Sequence, residues 1–351
     1  MPHNVEKMDE PILGEGARIL TICNACRYCE GFCAVFPAME KRQEFLRADL
    51  NYLANLCHNC QECFYACQYA PPHEFAVNVP KTLAQIRIAS YEQYAWPSWL
   101  RALASELALV IVLVSGIASF WLRAEDVSGN FYRVMSHVAM VSVFGGIAVF
   151  VASSLIAGMI HFWRETGMPG SARATGKALR DMFRLEYLRS GGAGCTYPQE
   201  DHSQARRWFH HLTFYGFLLC FASTSVAAIY HYAFHWTAPY AYLSLPVVLG
   251  TLGGVGLTIG PVGLGWLKRR QDPVTANPGQ SRLDWEFIVY LFLTGLTGLL
   301  VLALRATQFM PALLAVHLGF VAALFVMMPY GKFVHGLYRS LALLRYAREQ
   351  D

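Results

Sequence analysis

The chain of 351 residues is 55% hydrophobic and only 15% charged, and its formal net charge is +4. This composition is more apolar than that of an ordinary soluble domain, and so mild a positive charge does not indicate a nucleic-acid-binding protein. Residues 1–95 are polar and rich in cysteine, whereas residues 96–351 contain long uncharged stretches. We therefore predict a mainly α-helical chain with two domains that meet near Pro97.

The first twenty residues, "MPHNVEKMDEPILGEGARIL", carry acidic side chains and no apolar core segment. They resemble neither a secretory signal nor a twin-arginine leader. We expect the N-terminal domain to stay in the cytoplasm, where cysteines bind metal more often than they form disulfides.

Eight of the ten cysteines form two copies of C-x2-C-x2-C-x3-C, "CNACRYCEGFC" at 23–33 and "CHNCQECFYAC" at 57–67. Three sulfurs of such a run reach one iron–sulfur cluster, and in two-cluster ferredoxins the fourth cysteine ligates the other cluster. Residues 1–95 are therefore predicted to form a ferredoxin-type domain with two [4Fe–4S] clusters. The predicted ligand sets are Cys23, Cys26, Cys29 and Cys67 for one cluster, and Cys57, Cys60, Cys63 and Cys33 for the other.

A pair of zinc sites is the alternative, but structural zinc usually takes two paired ligands separated by a longer loop. The other two cysteines, Cys195 and Cys220, follow no ligand pattern. We interpret Cys220 as a small packing residue inside a helix. Cys195 lies in the glycine-rich stretch "GGAGCTYP", where a docking or reactive role stays open beside the more usual inert one.

Six stretches are long and apolar enough to cross a bilayer, which takes roughly 20 residues of helix. "HWTAPYAYLSLP" separates the third stretch from the fourth and contains two prolines, so these two are predicted to form a helical hairpin. The approximate predicted spans are Trp99–Leu122, Val134–Phe162, Trp208–Phe234, Tyr242–Leu267, Phe287–Leu304 and Met310–Leu337.

Basic residues are concentrated in the second and fourth connections between these spans. The connection at about 163–207 is rich in arginine, and the next one on the same side carries Lys268, Arg269, Arg270 and Arg282. By the positive-inside rule both connections are cytoplasmic. We therefore predict a multi-pass protein of the bacterial inner membrane with both termini in the cytoplasm.

Histidines at matching depths indicate haem ligands. His317 and His335 are 18 residues apart, which is five turns, so on one continuous helix they would share a side and lie about 27 Å apart. The third span carries His210 and His211 at one end and His231 at the other. We predict that His335 faces His210 or His211 and that His317 faces His231, so that the pairs hold one or two haem b groups.

Other histidines and cations near these pairs have a second interpretation. His137 and His161 lie about 120° apart around the second span, which suits an interfacial position better than one seam of ligands. Four basic residues lie beside the inner histidines and are candidates to bind haem propionates, although the positive-inside rule explains them equally well. These four are Arg206, Arg207, Lys332 and Arg339.

Two resemblances support this interpretation. "HLGFVAALFVMMPYGKFVH", with its His-x17-His spacing and Pro329, resembles the last membrane helix of the respiratory nitrate reductase gamma subunit, a dihaem cytochrome b. The two cysteine runs, the loop "GGAGCTYPQED" and "RRWFHHLTFYGF" together resemble the tricarballylate utilisation protein B family, also called citrate utilisation protein B. That resemblance implies a membrane protein with two [4Fe–4S] clusters and haem b that reoxidises the flavin of a tricarballylate dehydrogenase and reduces quinone.

The sequence contains no dinucleotide-binding, nucleophile-elbow, zinc-protease or phosphate-loop pattern. We therefore expect any organic substrate to be oxidised on a partner, a cytoplasmic FAD-dependent dehydrogenase, while this chain relays electrons to membrane quinone. Three alternatives remain at this stage: a quinol-oxidising subunit that feeds a cytoplasmic reductase, a tricarboxylate transporter, and a membrane-tethered redox sensor.

Overall fold

The computed structural model describes residues 10–121, 131–192 and 202–351. The fold is mainly helical, as the sequence predicts, with a cysteine-rich N-terminal domain followed by six long apolar helices. The helices of the N-terminal domain are α1 (Glu10–Cys26), α2 (Val35–Glu40), α3 (Arg47–Leu56), α4 (Glu62–Tyr65) and α5 (Val79–Tyr94).

Among the described residues, six helices are long and apolar enough to cross a membrane. Their apolar side chains are largely exposed, as expected for residues that contact lipid rather than a protein core. Two of these helices begin at N-cap residues whose side chains accept a hydrogen bond from the first turn: Ser136 accepts from the N–H of Ala139, and Asn277 accepts from the N–H of Gln280. The six spans are Ser98–Trp121, whose regular α-helix is α6 (Ala104–Trp121), then α8 (His137–Thr166), α10 (Ala205–Phe234), α11 (Leu245–Arg269), α12 (Pro278–Leu304) and α13 (Met310–Met327). Two shorter helices, α7 (Phe131–Val134) and α9 (Ala172–Arg184), lie in the connections.

The predicted hairpin of the third and fourth spans is present as α10 and α11, which pack along their length. Glycines let the two backbones touch: a Cβ at Gly256 would lie 2.7 Å from Leu212 O and 3.0 Å from the Cα of Gly216. No side chain fits at such a contact, so the small residues determine how closely the helices approach.

The prediction that the sixth span continues to about Leu337 is wrong. Helix α13 ends at Met327, and a separate helix, α14 (Val334–Glu349), begins after a short turn. Pro329 contributes to the break, since its nitrogen has no N–H and cannot donate the next hydrogen bond of the helix. His317 and His335 therefore lie on different helices, and their five-turn relation does not apply.

Helix α14 completes the core of the cysteine-rich domain. The ring of Tyr338 stacks on Phe162 of α8 at 5.2 Å and meets the ring of Tyr94 of α5 at 5.7 Å. Leu343 and Tyr346 are buried in the same hydrophobic cluster as α1, α3 and α5. The largest core of the molecule thus joins residues on both sides of the predicted boundary at 95/96.

A buried ionic network attaches the end of α14 to α3. Arg42 pairs with Asp49 at 2.7 Å and with Glu349 at 2.5 Å, while Arg345 pairs with the same two carboxylates at 3.0 and 2.9 Å. Both guanidinium groups also lie over the ring of Tyr52. Charges arranged in this way compensate one another, so the helix is held in one position.

Candidate redox site

Four of the cysteines surround one cavity in the N-terminal domain. Cys23, Cys26, Cys29 and Cys67 line a space of about 240 Å³, and Cys63 of the other set also contributes to its wall. The end of α1 carries the first two of these cysteines. Arg27 then takes a left-handed backbone conformation, φ 56°, and turns the chain toward the third. These four residues are the predicted first ligand set, here called the outer tetrad.

The other four cysteines line a second, smaller cavity of about 20 Å³. Cys57 and Cys60 are almost fully buried beside Cys33 and Cys63. These are the residues of the predicted second ligand set, here called the inner tetrad. The last cysteine of each run lies with the first three of the other run, as the two-cluster pattern requires.

The chemistry of both tetrads suits an iron–sulfur cluster. Burial, reinforced by the neighbouring thiolates, raises the pKa of Cys23 and Cys29 to about 12, and burial also raises the pKa of Cys33 and Cys63. Thiolates in such a place need a bound cation. Within the described ranges, no three His, Cys, Asp or Glu side chains are close enough to hold a single metal ion. Four cysteines around one cavity suit a cluster instead, and the outer-tetrad cavity of about 240 Å³ leaves room for its inorganic core.

A larger cavity, of about 490 Å³, lies where the cysteine-rich domain meets α10, α11, α12 and α14. This volume falls in the usual range for cofactor pockets, roughly 300–1,000 Å³. His210 and His335 face each other across it, with ring centroids 6.0 Å apart. Apolar side chains form much of the remaining wall, including Phe214, Phe217 and Leu264.

The imidazole rings of His210 and His335 are suited to donate electron pairs to a metal ion. The Nδ1 of His335 lies 2.5 Å from the carbonyl oxygen of Lys332, and because a carbonyl only accepts, this nitrogen carries the proton. Burial holds the pKa of His335 well below its usual value, so the ring is neutral and its Nε2 has a free electron pair. The Nδ1 of His210 is buried without a hydrogen-bond partner in the part of the chain that the structure describes. A metal-binding histidine usually donates its second nitrogen to the protein, as His335 does.

The four predicted cations divide between two environments. Arg206, Lys332 and Arg339 line the cavity, whereas the guanidinium of Arg207 donates to Arg184 O and lies away from it. Lys332 pairs with Asp284 at 2.8 Å, so its charge is already compensated.

The histidines predicted at the far end of the bundle are not brought together. His231 stacks on His137, with centroids 3.9 Å apart, and the structure shows no ring contact between His231 and His317. The Nδ1 of His317 lies 3.0 Å from Thr297 Oγ1 of α12. His137, which the sequence analysis assigned to the membrane interface, is therefore the residue that meets His231. Of the two predicted pairs, the inner one, His210 and His335, is brought together.

The remaining predicted residues lie outside both sites. His211 packs against Trp208 and Tyr215 rather than facing His335, and His161 is exposed. Cys220 packs between α10 and α11, where a Cβ at Gly253 would touch its sulfur, which is consistent with a packing role. Cys195 lies outside the described residues.

Sequence reasoning missed three residues in the wall of the large cavity. His58 lies between two cysteine ligands, Arg87 is 1% exposed, and Asp284 pairs with Lys268 at 2.9 Å as well as with Lys332. The position of His58 inside the second cysteine run was a usable signal. Arg87 gave none, because a lone arginine on a soluble helix is ordinarily exposed.

Comparison with known proteins agrees with this arrangement of parts. Residues 16–93 match the family model of the citrate utilization protein B Fer4-like domain, and residues 99–351 match the model of citrate utilization protein B. Citrate utilization protein B of Escherichia coli is 48% identical over 349 residues, which cover 96% of this chain and 92% of that protein. No solved structure matches the chain.

Proposed function

Because the chain belongs to the citrate utilization protein B family, we propose that it is a membrane-bound electron-transfer protein between a reduced flavoprotein and quinone. The flavoprotein is a cytoplasmic FAD-dependent enzyme, tricarballylate dehydrogenase, which oxidises the organic substrate itself. This chain accepts the electrons at the cytoplasmic face of the bacterial inner membrane and delivers them to quinone in the bilayer.

One observation carries the proposal: the inner tetrad is bonded directly to the helix that holds His335. Arg339 donates through Nη2 to the carbonyl of Cys57 at 2.6 Å, and it lies one turn beyond His335 on α14. Residues suited to hold a cluster and residues suited to hold a haem therefore form one connected unit. Electron transfer needs such proximity, whereas a transporter does not need a cysteine-rich domain at all.

Each set of residues has a defined part in this proposal. The outer and inner tetrads would ligate two [4Fe–4S] clusters, and His210 and His335 would ligate one haem b. When bound, these groups supply one-electron carriers between a two-electron flavin and quinone. The chain fixes their positions, and the apolar wall of the large cavity keeps water from its contents.

The opposite direction, quinol oxidation for a cytoplasmic reductase, would use the same residues. The membrane environment favours neither direction, so the donor and acceptor must be tested separately.

The decisive experiment is to record optical and EPR spectra of the full-length protein before and after reduction with dithionite. We expect haem bands together with signals of reduced clusters, and reoxidation of both by a soluble quinone analogue. Clusters without haem would contradict the relay and favour a redox sensor. Uptake of tricarballylate by vesicles that lack the flavoprotein would instead indicate a transporter.

A further inference from the structure

Two arginines from different helices, one buried and one partly buried, donate to the same main-chain carbonyl of the inner tetrad. Arg87 of α5 and Arg339 of α14 reach the oxygen of Cys57 at 2.8 and 2.6 Å. Arg87 also donates to Ala54 O and to the side chain of Gln280, both at 2.8 Å, and it is 1% exposed. Its guanidinium is therefore fixed beside the cysteine.

A third arginine reaches the next two residues of the same loop. Arg206 of α10 donates to His58 O at 2.8 Å and to Asn59 O at 2.7 Å. Positive φ angles at Asn59 and Gln61 turn the chain here toward Cys60. Three guanidinium groups thus surround the backbone of residues 57–59, here called the Cys57 loop.

The positive charge of this group is not balanced by protein carboxylates. Elsewhere Arg42 and Arg345 each contact two carboxylates, but Arg87, Arg206 and Arg339 form no ion pair within the described ranges. Buried and mutually repelling cations are costly unless an anion is bound close to them.

A cluster with four thiolate ligands is such an anion, and it becomes more negative when it is reduced. Fixed positive charge close to it therefore stabilises the reduced form more than the oxidised form, particularly where water is excluded.

The surroundings of the outer tetrad differ. Among the described residues, the arginine that bonds to the loop of its first three cysteines is Arg27, which donates to Asn24 O and is exposed to water, which screens its charge. The carboxylate of Glu62 does not distinguish the two sites, because it acts electrostatically on Cys29 and also lines the inner-tetrad cavity.

We propose that Arg87, Arg206 and Arg339 raise the reduction potential of the inner-tetrad cluster above that of the outer-tetrad cluster. Electrons then collect at the cluster that lies against the histidine cavity. The inference rests on the proposed function, because it requires both tetrads to hold clusters. The three arginines thus act by holding positive charge next to the inner cluster. Electrons then pass from the outer-tetrad cluster to the inner-tetrad cluster.

The test is a redox titration of the full-length protein followed by EPR, which resolves two one-electron components. We expect Arg206→Gln to lower the midpoint potential of the higher-potential component by at least about 59 mV, which for one electron is a tenfold change in the equilibrium constant of reduction. The matched control is Arg207→Gln, which removes the same charge from the adjacent position, where the guanidinium bonds to Arg184 O. This control should move neither component.

Two further variants separate charge from structure and identify the components. Arg206→Lys retains the charge, and we expect its higher midpoint potential to return most of the way from the value of Arg206→Gln to that of the wild type. Gln68 donates to the sulfur of Cys26 at 3.9 Å, so Gln68→Leu should lower the other component only, because hydrogen bonds to cluster sulfur also tune the potential.

Equal shifts in Arg206→Gln and Arg207→Gln would overturn the proposal, as would a shift confined to the component that responds to Gln68→Leu. If Arg206→Gln fails to assemble its clusters, Arg339→Gln is measured in its place, and an unchanged titration then refutes the proposal. A wild-type protein without any cluster signal would contradict the proposed function itself, which is a separate result.

Discussion

His335 is the residue on which the inner haem assignment depends most directly. Its Nδ1 is held by Lys332 O and its ring faces His210 across the cavity. We predict that His335→Ala and His210→Ala each remove haem absorbance while cluster EPR signals persist. The control is His211→Ala, one position along α10, which should retain haem because its ring packs on Trp208 instead.

His317 provides a separate test of the number of haems. Its ring contacts Thr297 on α12, and no histidine faces it in the described part of the chain. We expect His317→Ala to keep the full haem content, measured per chain by pyridine haemochrome analysis. Loss of half the haem would show that a second group is bound at His317.

Contacts between residues that are close in the sequence were easier to predict than contacts between distant ones. The four cysteines of each run lie within eleven residues, so their spacing predicts which three sulfurs come together, and the repeat of the run predicts the exchange of the fourth. The meeting of His210 with His335 also agrees with the sequence, although the helical relation used to reach it does not hold. The position of Arg87 could not be predicted, because its three acceptors come from distant parts of the chain.

At the scale of the helices, the α10–α11 hairpin determines where His210 stands. A side chain at Gly256 would collide with Leu212 O, two residues beyond His210, and with Gly216. We predict that Gly256→Leu costs about 1–3 kcal/mol, the usual range for overpacking, and also lowers haem content. Thermal unfolding in detergent and the haem-to-protein ratio measure the two effects.

The control for this substitution is Gly146→Leu on α8, where an added Cβ meets nothing within 4 Å. It should leave both stability and haem content unchanged, since the position is exposed. Equal losses in the two variants would mean that leucine is harmful in any span, and would contradict the packing argument.

The number of spanning helices was predictable because a long uncharged run has few alternatives to a helix in lipid. The ends of these helices were harder to predict than their number. The break at Pro329 was visible in the sequence, yet hydropathy alone carried the sixth span past it. Whether a proline ends a helix depends on the contacts made on either side, and here α14 gains its contacts from the cysteine-rich domain.

For the whole molecule, six crossings and the packing of α14 on the N-terminal domain require both ends of the chain to share one side. We predict that alkaline phosphatase fused after Asp351 is inactive, whereas the enzyme inserted in the connection at 235–244 is active, because it folds only outside the cytoplasm. Insertion in the connection at 271–276 serves as the control and should be inactive. Activity at the C-terminus would reverse the orientation.

The shared core has a consequence for how the protein is made. The ribosome releases the cysteine-rich domain first, but Tyr338, Leu343 and Tyr346, which complete its interior, are synthesised last. Until the six spans have entered the membrane, α1, α3 and α5 therefore lack one wall of their core. The proposed clusters would therefore be enclosed by a complete core only after the last helix has been made.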